Sequence, residues 1–402
     1  MNKRKTASGS SMLENVLSAA VTAVTAVDSG KMTLDDALMH LPDECRRILE
    51  HLLIQFYRYR KSIRRSWMKF CRKPAAPEIG ALLDSAVTQC RFQQAVPPYS
   101  VVNVAVTLAK KHHADKFVNA LLRRVLAEDF TIPSAPEDIL PDGILKRWQK
   151  NLSPVEVARF ARLFLMKPEF TFRLCRGAEL PEGAGAVWAP GSFRFAAWEA
   201  AKVLTSAEFA SGSYYIQDPA AALAVSLAEE VAGNCRTFLD LCAAPGGKTL
   251  MAAEFLPPDS RITAADISAL RQEQTRENFA RHRINGEVIT ADPSEITGKF
   301  DLVIADVPCS NTGVFRRRPD ALWRFSGSAL AEVMRLQRRI VRRAAELTQD
   351  NGFLLVSSCS IEEDENRALT RISGWEVVKE CTLLPDDGHD GAFAALMKKV
   401  AP

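Results

Sequence analysis

The sequence predicts two kinds of folded unit in one chain: an all-helical domain, and after it an α/β domain with a doubly wound, mostly parallel sheet. Before residue 129, apolar residues recur three and four positions apart, which is the spacing of one helix face. After residue 215, short apolar runs alternate with helical segments, as in sheets whose parallel strands are joined by helices. A chain of 402 residues is long enough for two or three such domains.

The helical part is predicted over residues 12–128. Segments such as "EIGALLDSAVTQCRFQQ" carry the helical spacing, and proline-containing breaks separate them. The proline-rich stretch 131–143, "TIPSAPEDILPDG", is typical of a connector, and Ser153 is a good N-cap for one further helix. Short pieces interrupted by glycine, such as "EFTFRLCRG", then indicate strands. We therefore assign residues 129–215 to a linker plus a small α+β subdomain; the expectation that this subdomain binds RNA comes only from the family resemblance given below.

The α/β domain is predicted over residues 216–402. Its strands are the apolar runs "TFLDLCA", "RITAADI", "GEVITAD", "FDLVIADVP" and "GFLLVSSC", with helical segments between them. Two later runs, "WEVVKECT" and "GAFAALMKKV", are candidates for an antiparallel edge.

Composition excludes several classes of protein. With 47% hydrophobic and 25% charged residues, the chain has the composition of an ordinary globular protein. It shows no apolar run of transmembrane length and no signal-peptide pattern, so we expect a cytoplasmic protein without a membrane partner. The nine cysteines include no CxxC pair, which argues against a disulfide framework and against a metal site.

Three basic clusters suggest a polyanionic partner, although the net charge is only +4. The stretch 58–73, "RYRKSIRRSWMKFCRK", carries eight Lys or Arg residues and no acid. The others are "FRRRPDALWR" at 315–324 and a row of arginines over 335–343. A solvated helix face is the alternative interpretation. The residues predicted to contact RNA are Arg64, Arg65, Lys69, Arg316, Arg317 and Arg318.

Acidic residues at strand ends predict a cofactor site. The first strand runs into "CAAPGGKT", a glycine turn that opens a helix but matches neither the phosphate-binding P-loop nor the GxGxxG fingerprint. Asp266 ends the second strand, where doubly wound nucleotide binders place a carboxylate for ribose hydroxyls. Asp292 and Asp306 end the third and fourth strands. An adenosine-like cofactor without a phosphate tail fits this edge, which points to S-adenosylmethionine.

Two cysteines follow neighbouring strand ends. Cys309 comes just after the fourth strand and Cys359 just after the fifth, so adjacent strands, about 4.8 Å apart, would bring both thiols to one cavity. Addition of a thiolate to C6 of cytosine makes C5 nucleophilic enough to accept a methyl group. Asp306 is placed to contact the N3 and N4 edge of such a base.

These motifs resemble a known family. "LDLCAAPGGKT", "ADVPCSNTGVFRRRPDALW", "SSCSIEEDEN" and "DGAFAALMKK" are similar to the motif series of the RsmB/Sun/NSUN RNA (cytosine-5-)-methyltransferases. The helical segment "VVNVAVTLAKKHHADKFVNALLRRVL" resembles the NusB-like RNA-binding domain of bacterial RsmB proteins. The resemblance implies a Rossmann-like, S-adenosylmethionine-dependent catalytic domain after a NusB-like one.

The resemblance also implies roles for individual residues. It assigns attack on C6 to Cys359 and product release to Cys309, whereas in DNA cytosine methyltransferases the cysteine after proline attacks. Small differences from the family pattern, such as Asn311 where glycine is usual and Ser358 where threonine is usual, are expected to tune the pocket. The residues that the resemblance assigns to the cofactor are Cys242, Ala243, Ala244, Pro245, Gly246, Gly247, Lys248, Asp266, Asp292 and Asp306.

The expected function is methylation of cytosine C5 in RNA, with 16S ribosomal RNA as the expected substrate. We expect a monomer without a metal ion. A transfer RNA 5-methylcytosine methyltransferase is one alternative. A non-catalytic RNA-binding ribosome-assembly factor is another, but such a protein would need neither the two cysteines nor the cofactor acids.

Overall fold

The computed structural model describes residues 9–41 and 44–400, with side chains from Met12 onward. It divides into two compact units. One unit runs to Met166 and also contains Phe315–Ser326. The other contains Lys167–Val314 and the chain from Gly327 onward.

The first unit is helical. Helix α3 (Arg46–Met68) shows why: it carries Leu49, Leu52, Leu53 and Phe56, which lie three and four positions apart and are all buried, and this confirms the predicted apolar face. The N-cap predicted at Ser153 is also confirmed, since its hydroxyl accepts a hydrogen bond from Glu156 N. The helices are α1 (Gly9–Asp28), α2 (Leu34–Met39), α3 (Arg46–Met68), α4 (Pro77–Phe92), α5 (Pro98–Ala109), α6 (Asp115–Leu126), α7 (Pro136–Ile139), α8 (Asp142–Asn151) and α9 (Pro154–Leu165).

The structure differs from the predicted boundary at residue 128. Helices α7–α9, which we assigned to the linker region, belong to the helical unit, and so does a segment that we assigned to the α/β domain. Aromatic packing explains why Phe315 belongs to this unit. The rings of Trp148 and Phe160 lie 5.7 Å and 5.8 Å from the ring of Phe315, which is fully buried. The hydrophobic core that contains α1 to α6 has its last buried residue at Val125, so the proline-rich stretch 131–143 follows the end of that core.

The second unit contains two sheets. The small antiparallel sheet has the strand order β2–β3–β1–β4 and confirms that strands are present between residues 167 and 216. The elements are β1 (Thr171–Leu174), β2 (Gly185–Val187), β3 (Arg194–Ala197), α10 (Ala200–Leu204), α11 (Ala207–Ser211), β4 (Tyr214–Ile216), α12 (Ala222–Ala232), β5 (Thr237–Asp240), α13 (Gly247–Ala252), β6 (Arg261–Asp266), α14 (Ala269–His282), β7 (Gly286–Thr290), β8 (Phe300–Asp306), α15 (Asp320–Arg324), α16 (Gly327–Leu347), β9 (Thr348–Ser358), α17 (Glu363–Leu369), β10 (Trp375–Leu383) and β11 (Ala392–Lys399). Helix α15 lies in the segment that packs with the helical unit.

The large sheet is doubly wound, as predicted. Its strand order is β10–β11–β9–β8–β5–β6–β7, with parallel pairing from β9 to β7 and antiparallel pairing of β11 and β10 at one edge. Successive residues of β8 point to opposite faces. Leu302 packs in the cluster that contains α12, and Val303 packs in the cluster that contains α16. Helices therefore cover both faces, and the parallel strands open at one carboxyl edge.

Candidate active site

The loop between β5 and α13 depends on two glycines for different reasons. Gly246 has a φ of 97°, a left-handed conformation that L side chains rarely adopt. Gly247 is tightly enclosed, since a Cβ there would lie 2.8 Å from Gln217 Nε2 and 3.0 Å from the Tyr215 ring. The "PGG" sequence therefore lets the backbone turn at the sheet edge and pass close to β4.

Two cavities open at the carboxyl edge and share Lys248 and Asp306 in their walls. The larger, of about 210 Å³, lies beside the glycine loop and is lined by Tyr215, Ile216, Gln217, Asp240, Cys242, Ala243, Ala244, Pro245, Gly247, Lys248 and Asp306. The smaller, of about 90 Å³, is lined in part by Cys359, Ser357 and Asp218. A ligand in the first cavity and a reacting group in the second would therefore be neighbours.

Lys248 and Asp306 form an ion pair between the two cavities. The Nζ–Oδ2 distance is 2.7 Å, and the Ser357 hydroxyl donates to the other Asp306 oxygen at 2.6 Å. Burial alone lowers the pKa of Lys248, but the carboxylates of Asp306 and Asp240 outweigh burial and raise that pKa. The site therefore holds a fixed positive charge against a hydrogen-bonded carboxylate.

Asp240 is a site residue that the sequence reasoning missed. It ends β5, is only 1% exposed, and accepts a hydrogen bond from Thr249 Oγ1 at 2.7 Å through Oδ2. Its Oδ1 has no hydrogen-bond partner among the residues that the structure describes. Burial raises the pKa of Asp240 from 3.8 to about 7. The signal was available, because Asp240 closes its strand just as Asp266 and Asp306 close theirs.

The other two predicted cofactor acids have different surroundings. Asp266 is half-buried and accepts hydrogen bonds from Ala244 N at 3.2 Å and Ser268 N at 2.9 Å. It thereby ties the glycine loop to the start of α14. Asp292 is exposed and caps a short turn, accepting from the backbone N and the hydroxyl of Ser294, and these bonds lower its pKa. Neither acid is part of the wall of the two cavities.

The two cysteines lie side by side. Strands β8 and β9 are parallel neighbours, as the sequence reasoning required, and the Cys309 and Cys359 sulfurs are 2.8 Å apart. The Cys359 thiol also donates to Asn311 Oδ1 at 3.2 Å and lines the smaller cavity. The hydrogen bond with Cys359, together with burial, raises the pKa of Cys309 well above its usual value. Cys309 is therefore held as a protonated thiol next to Cys359.

Comparison with known proteins places this site in a family. The family model described as 16S rRNA methyltransferase RsmB/F matches residues 229–393, and the NusB family model matches residues 15–127. A protein of Pseudomonas syringae pv. tomato named ribosomal RNA small subunit methyltransferase B is 28% identical over 439 aligned positions, covering 95% of this chain and 96% of that protein. Residues 229–393 therefore form a domain of the RsmB/F methyltransferase family, and residues 15–127 form one of the NusB family.

Further relatives agree with this membership. The protein of the same name from Photorhabdus laumondii is 29% identical and aligns over 74% of this chain and 76% of its own length. The one from Vibrio cholerae is 38% identical over a shorter region, 40% of this chain and 37% of its own length. Among solved structures, PH0851 has a TM-score of 0.74 at 20% identity and covers 96% of this chain and 99% of its own, which shows a shared fold.

The basic residues of the chain differ in how exposed they are. Arg316 was predicted to contact RNA, but it is only 2% exposed in the interior of the helical unit, so its side chain is not available to a phosphate in this structure. The segment that contains Arg316 turns inward at the buried Phe315. The basic composition of this segment gives no sign of that burial. Arg64 is held between the carboxylates of Asp28 and Asp84.

Three predicted RNA contacts lie on the surface of the helical unit. Arg65, Lys69 and Arg318 have side chains that are 62%, 46% and 44% exposed. Each forms an ion pair with a partly exposed carboxylate, and surface pairs of this kind contribute little to stability. Arg317 is half-buried.

Within residues 9–41 and 44–400, no helix is long and apolar enough to cross a membrane. Over the same part of the chain, no group of three or more His, Cys, Asp or Glu side chains could hold a metal ion.

Proposed function

We propose that this protein methylates C5 of cytosine in RNA, using S-adenosylmethionine and a covalent bond between Cys359 and C6 of the base. The observation that carries the proposal is the pair of sulfurs 2.8 Å apart at the ends of β8 and β9. Family membership supports RNA methylation. A cytosine needs one thiol to activate its ring and gains from a second group to complete the reaction, so two adjacent thiols favour this base.

The chain's own residues suit the first half of the reaction. Cys359 releases its proton to solvent and adds to C6 as a thiolate, which leaves C5 with the electron density of an enamine. The Asp306 carboxylate, oriented by Ser357, lies in the wall of the same cavity and can hold the N3 and N4 edge of the base. Lys248 balances the negative charge of that carboxylate.

The second half of the reaction requires a base and a leaving group. Once C5 carries the methyl group, its proton must leave, and the electron pair of that C–H bond reforms the C5–C6 double bond and expels the Cys359 thiolate. We assign Cys309, adjacent to Cys359, to both proton movements: its thiol gives a proton to the departing Cys359 sulfur, and the Cys309 thiolate so formed takes up the C5 proton. Its raised pKa keeps it a thiol until that point, so it does not compete as a nucleophile.

The larger cavity suits S-adenosylmethionine, which would supply the methyl group when bound. Oδ1 of Asp240 is buried and has no hydrogen-bond partner among the described residues. It can therefore accept a hydrogen bond from a ligand group such as an ammonium. The absence of a side chain at Gly247 lets Tyr215 and Gln217 pack against the glycine loop in the wall of the same cavity. The Asp266 carboxylate still has lone pairs for ribose hydroxyls after its two backbone contacts.

We infer that small-subunit ribosomal RNA is the substrate. The relatives that align with this chain are named ribosomal RNA small subunit methyltransferase B, and one aligns over nearly its full length. A transfer RNA substrate remains the alternative within the same chemistry. A non-catalytic assembly factor is disfavoured, because binding alone would not require adjacent thiols beside an Asp–Lys pair.

Bisulfite sequencing of RNA tests the proposal. RNA from cells with the gene, without it, and complemented with Cys359→Ala would be compared at every cytosine. We expect one or a few protected cytosines in 16S ribosomal RNA that lose protection without the gene and do not regain it with Cys359→Ala. Protection lost only in transfer RNA would change the substrate. A protection pattern that is independent of the gene would contradict the proposed reaction.

A further inference from the structure

Glu365 is a fully buried carboxylate in the first turn of α17, close to both cysteines. Each of its oxygens accepts two hydrogen bonds. Oε1 accepts from Ser310 N at 3.0 Å and from Gln337 Nε2 at 2.7 Å. Oε2 accepts from the hydroxyls of Ser310 and Ser360, both at 2.6 Å. This is a complete set of acceptor contacts for a buried carboxylate.

The partners of Glu365 are the residues next to the two thiols. Ser310 follows Cys309 in the chain, and Ser360 follows Cys359. One carboxylate therefore links the loop after β8 to the loop after β9, immediately beside each sulfur. The linkage adds side-chain bonds to the main-chain bond that joins these loops at this point, from Gly313 N to the carbonyl of Cys359 at 2.9 Å.

Two amide side chains extend this linkage to the other side of each cysteine. Gln337, which donates to Glu365, also donates to the carbonyl of Pro308 at 2.8 Å. Asn366, the next residue in α17, donates to the carbonyl of Ser360 at 3.0 Å and accepts from the Ser358 hydroxyl at 2.8 Å. Both neighbours of each cysteine are thus tied to this buried network.

We infer that Glu365 is a positioning residue that sets the separation of the Cys309 and Cys359 thiols for the reaction. The inference rests on the proposed function for its catalytic consequence, but not for its geometry. Misplacement of a reacting group by about 1 Å can cost about a hundredfold in rate. A residue that only added stability would change unfolding without changing the turnover of the folded enzyme.

The first experiment compares Glu365→Ala, Glu365→Gln and the control Glu363→Ala, which removes an exposed carboxylate from the same helical turn. We expect Glu365→Ala to lower kcat by about a hundredfold with little change in the KM for RNA. Glu365→Gln should recover most of that loss, because serine hydroxyls can turn to accept from an amide NH₂. Wild-type kcat in folded Glu365→Ala, or a change confined to KM, would overturn the inference.

The second experiment measures, without RNA, how readily the Cys309 and Cys359 thiols can be bridged. A fluorogenic dialkylating probe that bridges two neighbouring thiols is added to each protein, and the same protein with Cys309→Ala supplies the background. We expect bridging to be fast in wild type and Glu363→Ala, and at least several-fold slower in Glu365→Ala. If Glu365→Ala does not fold, Ser310→Ala and Ser360→Ala replace it, since each removes one hydroxyl donor; wild-type bridging in both would overturn the inference.

The two experiments separate the two ideas. If wild type forms no 5-methylcytosine while bridging still depends on Glu365, the proposed function fails and the positioning role stands. If wild type methylates RNA and bridging is the same with or without Glu365, the positioning role fails and the proposed function stands.

Discussion

Replacing Asp240 with asparagine should alter how stability depends on pH. The side chain is fully buried, and its Oδ2 contact with Thr249 can be kept by the asparagine carbonyl. Asparagine cannot ionise, however. The substitution therefore removes one titrating group while leaving the shape of the β5 end nearly unchanged.

The magnitude follows from the pKa. Burial raises the pKa of Asp240 from 3.8 to about 7, a difference of about 3 units, and each unit corresponds to about 1.4 kcal/mol. Because the folded state holds the Asp240 proton more tightly than the unfolded state, the protonated Asp240 contributes to stability, and this contribution is fully present below the unfolded pKa. It is lost as pH rises from about 4 through about 7. The loss is on the order of 4 kcal/mol in the wild type and is absent in Asp240→Asn.

Urea unfolding at several pH values between about 4 and about 8 measures this effect. The quantity of interest is the difference in unfolding free energy between Asp240→Asn and wild type, since titrating groups that do not interact with Asp240 cancel in it. We expect the difference to shift in favour of the variant by about 4 kcal/mol across that range. A difference that stays constant with pH would refute the claim that Asp240 is forced to ionise in a buried position.

Two further predictions concern binding. Asp266→Ala should weaken S-adenosylmethionine binding by roughly one to two orders of magnitude, since charge-assisted hydrogen bonds contribute about 1.5 to 3 kcal/mol; unchanged affinity in calorimetry would refute the assignment. If Arg65, Lys69 and Arg318 contact phosphates, each alanine substitution should reduce the slope of log affinity against log salt by about 0.7 for single-stranded RNA. If none of the three substitutions changes this slope, the three side chains do not contact phosphates and belong to an ordinary solvated surface.

Much of the site could be predicted because parallel strands share an edge. Acids and cysteines that follow strand ends must meet at the carboxyl edge, so the proximity of Cys309 and Cys359 needed only the correct strand order. The same rule would have found Asp240. It placed Asp292 at this edge as well, but a local serine contact occupies that carboxylate at the surface.

The rest depended on tertiary packing that local sequence does not encode. Arg316 lies in a basic run, and only the burial of Phe315 in the helical unit shows that the segment turns inward. Glu365 stands in the acidic run "EEDEN", where the adjacent Glu363 and Asp364 are exposed. Its four donors come from three separate segments, and no spacing in the sequence indicates that they converge.

The most direct test of the proposed mechanism separates the two thiols. Each cysteine-to-alanine variant is incubated with substrate RNA and S-adenosylmethionine, then run on a denaturing gel to detect an RNase-sensitive protein–RNA adduct. Cys359→Ala should transfer no methyl group and form no adduct, because C5 is never activated. Cys309→Ala should accumulate the adduct, because attack and methylation proceed while release is slowed. An adduct in Cys359→Ala and none in Cys309→Ala would reverse the roles, and unimpaired methylation by both variants would contradict the covalent mechanism.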